Sequence, residues 1–283
     1  MKGACTATRT CFEDYLVRRL EPAERRAVRD HLDICTECWS AWNAYRWDRA
    51  ADSVLLAELR TYLEETGQPY TPARDSSREL AATWNTTGPT TDDRTAFFRK
   101  SEAYLYNLVV WHASGNRPPY VAEASLLLAQ HKIKNITEVG SGIGSDTLAL
   151  TALGHAVTPI DYDSPSTQFA RWRQRRAEIP DVVHQPGAPL GGPAPEALWI
   201  IDTLDHIPNP EEQLGSLLAA SRIVVAEAQQ PARAHGSHGY YIRRTPDEVN
   251  RIFASYGLAP ASASPAVSVW WKSGSARWTA FDT

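Results

Sequence analysis

The chain has 283 residues, 43% apolar and 22% charged, which suits one large soluble domain or a catalytic domain with a small appendage, and needs no disulfide framework to fold. A formal charge of −4 and a pI near 6.1 give no electrostatic reason to expect nucleic acid or an anionic membrane as partner. No stretch approaches the roughly 20 apolar residues of a membrane span, and Met1–Thr10 lacks the apolar stretch of a signal peptide, so cytoplasm is the expected compartment.

The first section, from about Cys5 to Thr66, reads as helical. Residues 11–20 are amphipathic, Pro22 suits the first turn of the next helix, and Ala27, Val28, His31 and Leu32 recur at helical spacing. A stripe from Trp39 through Leu63 continues to Gly67. Residues 67–93 are rich in Pro, Ser, Thr, Gly and Asp, the composition of a linker. Two helices follow, Thr95–His112 and Pro118–His131.

From Asn135 the pattern changes to short apolar runs alternating with amphipathic helices, the mark of an α/β domain with a mostly parallel sheet. Strands are expected at 135–140, 156–161, 197–202 and 222–228, with a weak one near 181–184. Helices are expected at 145–153, 165–177, 210–219 and 245–256. The end reads as a β-hairpin, Ser262–Trp271 and Arg277–Phe281 about Lys272–Ser275.

All four cysteines, Cys5, Cys11, Cys35 and Cys38, lie near the start of the chain. In an intracellular protein such clustering points to metal or redox chemistry. His31, Cys35 and Cys38, spaced three and four apart, can converge where a helix turns into a CxxC knuckle, and an imidazole with two thiolates is a normal zinc set. The plainer alternative is unrelated residues with a reducing CxxC pair. The His-x3-Cys-x2-Cys pattern resembles the zinc-binding anti-sigma factor family, over about forty residues that include Tyr15-Leu16, Leu20, Pro22, Glu24-Arg25 and His31-Leu32. The resemblance places the upstream ligand on Cys5, with Cys11 as the alternative, and implies either a structural zinc or one expelled by thiol oxidation. A three-ligand site open to a substrate thiol is a third option.

A second motif is Glu138-Val-Gly140-Ser141-Gly142-Ile-Gly144, where an apolar strand ends in glycines and a helix starts. Glycines let the backbone turn sharply against a ligand, and the helix N-terminus adds amide donors. Glycine turns alone are weak signals, shared with dinucleotide oxidoreductases. Asp161 closes the next apolar run, where a carboxylate can accept both hydroxyls of a ribose.

This resembles motif I of class I S-adenosylmethionine (SAM)-dependent methyltransferases. The segment Asp202-Thr203-Leu-Asp205-His206-Ile-Pro208-Asn-Pro210 is similar to the fourth-strand segment of their quinone-methylase-like branch. Two motifs in the right order, over about Tyr104–Thr283, disfavour the oxidoreductase. The resemblance implies a Rossmann-like, seven-stranded sheet with a C-terminal hairpin. It implies Glu138 facing the methionine amino group, Gly140, Ser141, Gly142 and Gly144 packed on the cofactor, Asp161 on the ribose and Tyr162 beside the adenine. Asp202 and Thr203 would sit under the methionine end. The chain departs from the family at His184–Ala188, where an acidic residue is usual near the adenine.

Methyl transfer is an in-line displacement that rests on alignment and desolvation, and a hydroxyl or ammonium acceptor must also lose a proton. His206, after the fourth strand, and His235 and His238, after the fifth, are the candidate bases. Tyr104, Tyr106 and His112, on a helix before the first strand, are candidates for the acceptor pocket, against plain core packing.

The expected organisation is a helical zinc-binding domain over 1–66, a linker over 67–93 and a SAM-dependent methyltransferase domain over 94–283. Its acceptor is expected to be a small molecule or peptide, as in specialised metabolism. The zinc domain is a possible surface for a protein partner. The competing reading is a regulatory anti-sigma-like protein whose SAM-binding domain is a sensor.

Overall fold

The computed structural model describes residues 2–87, 91–188, 194–227, 241–242, 244–264 and 266–272. They divide into two compact units that meet in sequence at Pro118 and Pro119. Among the described residues no helix is long and apolar enough to cross a membrane.

The first unit is helical: α1 Lys2–Thr10, α2 Phe12–Leu16, α3 Pro22–Ile34, α4 Thr36–Ala50, α5 Val54–Glu65, α6 Ser76–Thr87, α7 Thr91–Lys100 and α8 Glu102–Ala113. Pro22 opens α3 where its missing N–H is not needed, and the Glu21 N–H donates to the Glu24 carboxylate at 3.1 Å. Phe12, Leu16, Val28, Leu32 and Trp42 bury one apolar cluster, in which Phe12 and Tyr15 each meet Trp42 edge-on at 5.2 Å.

Three sequence expectations change here. The stripe running to Gly67 is broken between α4 and α5, because the Ser53 hydroxyl accepts the Leu56 N–H at 3.1 Å and caps a new helix. Residues 67–93, read as linker, contain α6, whose Leu80 and Trp84 are buried four residues apart. The Ser and Thr residues around them hid this single apolar edge. Ser77 on α6 donates to the Asn107 side chain of α8 at 2.8 Å. A similar cap, Ser101 on Tyr104 at 3.2 Å, separates α7 from α8 within the helix expected over 95–112.

The second unit runs α9 Tyr120–Gln130, β1 Asn135–Val139, α10 Ser145–Ala152, β2 Ala156–Ile160, α11 Pro165–Arg176, β3 Ala197–Ile200, a 3₁₀ turn Leu204–His206 and α12 Pro210–Ala220. It then continues with β4 Ile223–Glu227, α13 Pro246–Ala254, β5 Leu258–Ala263 and β6 Val267–Lys272. The fold is mixed α/β with a six-stranded sheet, ordered β2-β1-β3-β4-β6-β5. The first four strands are parallel, and β6 runs antiparallel to both its neighbours. Leu198, Ile200, Val224 and Ala226 are buried beneath Leu214, Leu218, Val249 and Phe253, which explains why the central strands read as continuous apolar runs.

The expected strand at 181–184 is a single parallel bridge, Ile160 with His184, so six strands are described where seven were expected. Pro159 supplies the reason. Its carbonyl accepts the His184 N–H at 2.9 Å, so the N–H that proline lacks would have served that same edge. The hairpin also lies earlier than expected, with the Ser264 hydroxyl accepting the Val267 N–H at 3.0 Å where the chain reverses. Arg277–Phe281, the expected second arm, fall outside the described residues.

Candidate functional site

In the first unit, α1 carries Cys5, the last turn of α3 carries His31, Cys35 joins α3 to α4, and Cys38 lies in the first turn of α4. Their ligand atoms all lie within 4.8 Å of one another. The Cys5 and Cys35 sulfurs are 3.8 Å apart. Two sulfurs about 2.3 Å from a tetrahedral ion stand roughly 3.8 Å apart, whereas a disulfide needs about 2.05 Å. The His31 Nε2 is buried with no hydrogen-bond partner among the described residues. Three sulfurs and one unmatched imidazole nitrogen are a donor set that fits zinc. Cys38 and Cys35 push the Cys5 thiol up to about 11, while hydrogen bonding, chiefly from the Cys38 backbone, lowers Cys35. Cys11 is not in the cluster and packs against the apolar core beside it.

In the second unit, the carboxyl ends of β1 and β2 form one half of a site. Gly140, Gly142 and Gly144 all have positive φ, at 76°, 52° and 72°. Gly140 has no alternative, since a Cβ there would lie 2.0 Å from the Thr203 hydroxyl. Gly144 is the left-handed residue from which α10 begins. Asp161 is held by two amides, Gly142 N–H on Oδ2 at 2.7 Å and Tyr162 N–H on Oδ1 at 2.6 Å. Burial raises its pKa to about 6, against the lowering effect of those two amides. Each carboxylate oxygen keeps a lone pair for another donor. Glu138, 3% exposed, accepts the Thr147 hydroxyl of α10. The Ser141 Oγ is buried with no partner among the described residues.

The ends of β3 and β4 form the other half. Asp202 takes a left-handed turn, φ 50°, that side chains rarely adopt. Its N–H donates to Glu227 Oε2 at 2.9 Å, and its Oδ1 accepts the Tyr120 hydroxyl at 3.1 Å. Thr203 follows and packs on Gly140, so the two halves touch. Burial first, then Asp202 and Asp205, push the Glu227 carboxyl well above the carboxylate range. His206 lies 3.5 Å from Asp205 and its ring centroid is 4.9 Å from that of Tyr241. Arg244 donates to the carbonyls of Leu204, Ile207 and Pro208, and Ile242 N–H to that of Asp205, which pins the turn carrying His206.

The structure thus brings Glu138, Gly140, Ser141, Gly142, Gly144, Asp161, Tyr162, Asp202, Thr203 and His206 to the carboxyl edge of one sheet. His235 and His238 lie outside the described residues. Tyr104, Tyr106 and His112 belong to the first unit. Tyr106 is 2% exposed there, with its hydroxyl accepting the Thr71 N–H at 2.9 Å and its ring stacked on Tyr70. Tyr104 meets Phe98 edge-on and His112 meets Trp111. Sequence reading missed Tyr120, Thr147, Glu227 and Arg244. Glu227 did carry a signal, since it ends an apolar strand as Asp161 follows one.

No family model matches the chain and no curated protein matches it. Solved structures to which the chain bears some likeness include the magnesium protoporphyrin IX methyltransferase of Synechocystis PCC 6803 with bound SAM, 16% identical over 72% of this chain and 100% of that one, TM-score 0.44. The 1,6-didemethyltoxoflavin-N1-methyltransferase of Burkholderia thailandensis, with its substrate and S-adenosylhomocysteine (SAH), is 20% identical over 72% and 94%, TM-score 0.44. The CcbJ methyltransferase of Streptomyces caelestis is 16% identical over 56% and 97%, TM-score 0.43.

Proposed function

We propose that the chain is a SAM-dependent methyltransferase acting on an O or N atom of a small-molecule or peptide acceptor, with a structural zinc in its helical first unit. The observation that carries the reading is Asp161, fixed by two amides opposite a left-handed glycine turn at the edge where β1 lies between β2 and β3. That is the switch point of a doubly wound sheet, where nucleotide ligands bind. A ribose diol would donate to the two oxygens of Asp161, and the unmatched Ser141 hydroxyl and buried Glu138 offer further polar contacts to the amino-acid end. The antiparallel β6 between β4 and β5 favours this over a dinucleotide oxidoreductase, whose strands are expected to run mostly parallel.

SAM, when bound, supplies an electrophilic methyl group. The chain's own residues would align that group, exclude water and take the acceptor's proton. Among the described residues His206 is the candidate base, at the carboxyl edge with its Nε2 3.5 Å from Asp205. The zinc would be held by Cys5, His31, Cys35 and Cys38, and would brace helices whose shared core is small.

The test is calorimetry with SAM, SAH and NADH, followed by transfer of labelled methyl from SAM into extract amines, phenols and peptides. SAM and SAH binding without NADH binding, together with label transfer, supports the proposal. Preference for NADH overturns it. SAM binding with no transfer, but altered binding of a protein partner, favours the sensor reading.

A further inference from the structure

Asp202 follows β3 in the left-handed region, at φ 50°, and two residues remote in sequence bond to it there. One is Glu227, on the adjacent strand. The other is Tyr120, at the start of α9, which belongs to no motif read from the sequence. We propose that Tyr120 is a positioning residue for Asp202, its hydroxyl orienting the carboxylate that meets the amino-acid end of the cofactor. The proposal rests on the reading of Asp202 as a cofactor contact, and extends it to the residue that directs its side chain.

The two contacts act on different parts of Asp202. Glu227 accepts its N–H at 2.9 Å, which bears on the backbone and leaves the side-chain torsions open. The Tyr120 hydroxyl donates to Asp202 Oδ1 at 3.1 Å and so bears on those torsions directly. A carboxylate already oriented when the ligand arrives removes the entropy cost of ordering it in the complex. A phenol suits this role, because few torsions separate its hydroxyl from the backbone.

Tyr120 is itself held independently of Asp202. It is 4% exposed, and Ala124, Leu127 and Leu128 bury the following turns of the same helix. One turn after Tyr120, Glu123 accepts the Ala266 N–H at 3.1 Å and the Ser264 hydroxyl. Residues 264–266 lead into β6, whose Val267 pairs with Glu227 at the end of β4, so they lie at the carboxyl edge of the sheet. The first turn of α9 therefore spans that edge, tied by Tyr120 after β3 and by Glu123 beside the end of β4. A helix anchored in this way does not follow Asp202 when its side chain turns. The phenol hydroxyl is the fixed point, and the carboxylate is the group it orients.

The test compares the full-length wild type with Tyr120→Phe, Asp202→Gly and the double variant. Glycine removes the carboxylate and tolerates the left-handed backbone. Calorimetry measures the affinity of each for SAH and for methylthioadenosine, which keeps the adenine and ribose of SAH and lacks its amino-acid end. Tyr120→Phe should bind SAH about tenfold more weakly, the scale of one lost buried hydrogen bond, and methylthioadenosine within about twofold of wild type. Asp202→Gly should show the same selective loss. Adding Tyr120→Phe to it should change SAH affinity by less than about twofold, because the hydroxyl acts through the carboxylate alone. Equal weakening of both ligands in Tyr120→Phe, as a general brace of the fold would give, overturns the assignment. So does an additive loss in the double variant, or full SAH affinity in either single variant. A wild type that binds neither ligand overturns the cofactor reading itself, and the proposal with it.

Discussion

The two units hold their polar clusters in place by opposite means. In the first, Cys5, His31, Cys35 and Cys38 meet where three helices end, over an apolar cluster of a few side chains around Trp42. The buried Nε2 of His31 has no hydrogen-bond partner among the described residues, and a cation held with the three sulfurs would supply one. In the second, Asp161 and Asp202 stand at the ends of strands whose cores bury Leu198, Ile200, Val224 and Ala226 almost completely. Two backbone amides answer part of the charge of Asp161, and the Tyr120 hydroxyl answers part of that of Asp202. On the proposed reading the first arrangement is braced by a metal, whereas the second is held by hydrogen bonds and packing within the chain itself. A metal site on a small core adds its binding energy to folding, whereas a strand-edge site draws on a fold stabilised elsewhere.

Metal removal gives the largest expected contrast. Structural zinc contributes on the order of 10 kcal/mol to the folding of small helical units. A strong chelator, or His31→Ala, should therefore strip hydrogen-exchange protection from α1, α3 and α4 while leaving β1, β3 and β4 protected. Cys5→Ser should act likewise, and Cys11→Ser should keep the metal. Full protection of α3 and α4 in protein shown to be metal-free would erase the contrast.

Next in size is Gly140→Val. The new side chain meets the Thr203 hydroxyl, whose distance from an added Cβ is only 2.0 Å, on a backbone at φ 76°. Left-handed strain of roughly 1–2 kcal/mol plus displacement of Thr203 should cost about 3 kcal/mol of stability. Urea unfolding measures it, and Thr203→Ala in the same chain should recover part of the loss. Asp161→Ala comes third. Unpaired ribose hydroxyls should weaken SAM by about 1–3 kcal/mol in calorimetry, and equal affinity would remove Asp161 from the cofactor site.

How much of this was legible in the sequence follows from how local each constraint is. The convergence of His31, Cys35 and Cys38 was legible because they lie within two helix ends. The glycine turn and Asp161 were legible because each closes an apolar run. Glu227 and Tyr120 act on Asp202 across 25 and 82 positions, and no local pattern marks such a pair. The helix at Ser76–Thr87 was concealed by polar residues on every face but one. The strand expected at 181–184 is reduced to one bridge beside Pro159, a breaker that lies in β2 and not in the segment it affects. The strand expected over 262–271 is interrupted at Ser264, which precedes Pro265 in sequence and whose hydroxyl accepts the Val267 N–H.

The smallest expected effect is one of acidity, and it has two halves with opposite signs. Asp161 titrates at about 6 in the folded chain, above its ordinary value of 3.8. Its raised value means that the folded state keeps a proton the unfolded state has lost. Stability from this group is therefore complete below the unfolded value and declines as pH rises toward 6. SAM should reverse the trend, because ribose hydroxyls donate to the ionised carboxylate and favour that form. Below about pH 6, binding must first remove the proton, and affinity should fall by up to about tenfold per pH unit. Above that it should be level. In Asp161→Asn the acidic limb of both profiles should flatten together, since one group causes both. Calorimetric affinity and ligand-free unfolding, measured over the same acid range, check the pair. A sloping affinity limb that persists in Asp161→Asn would assign the proton to another group, and Glu138, buried under the Thr147 hydroxyl, would be the next to replace.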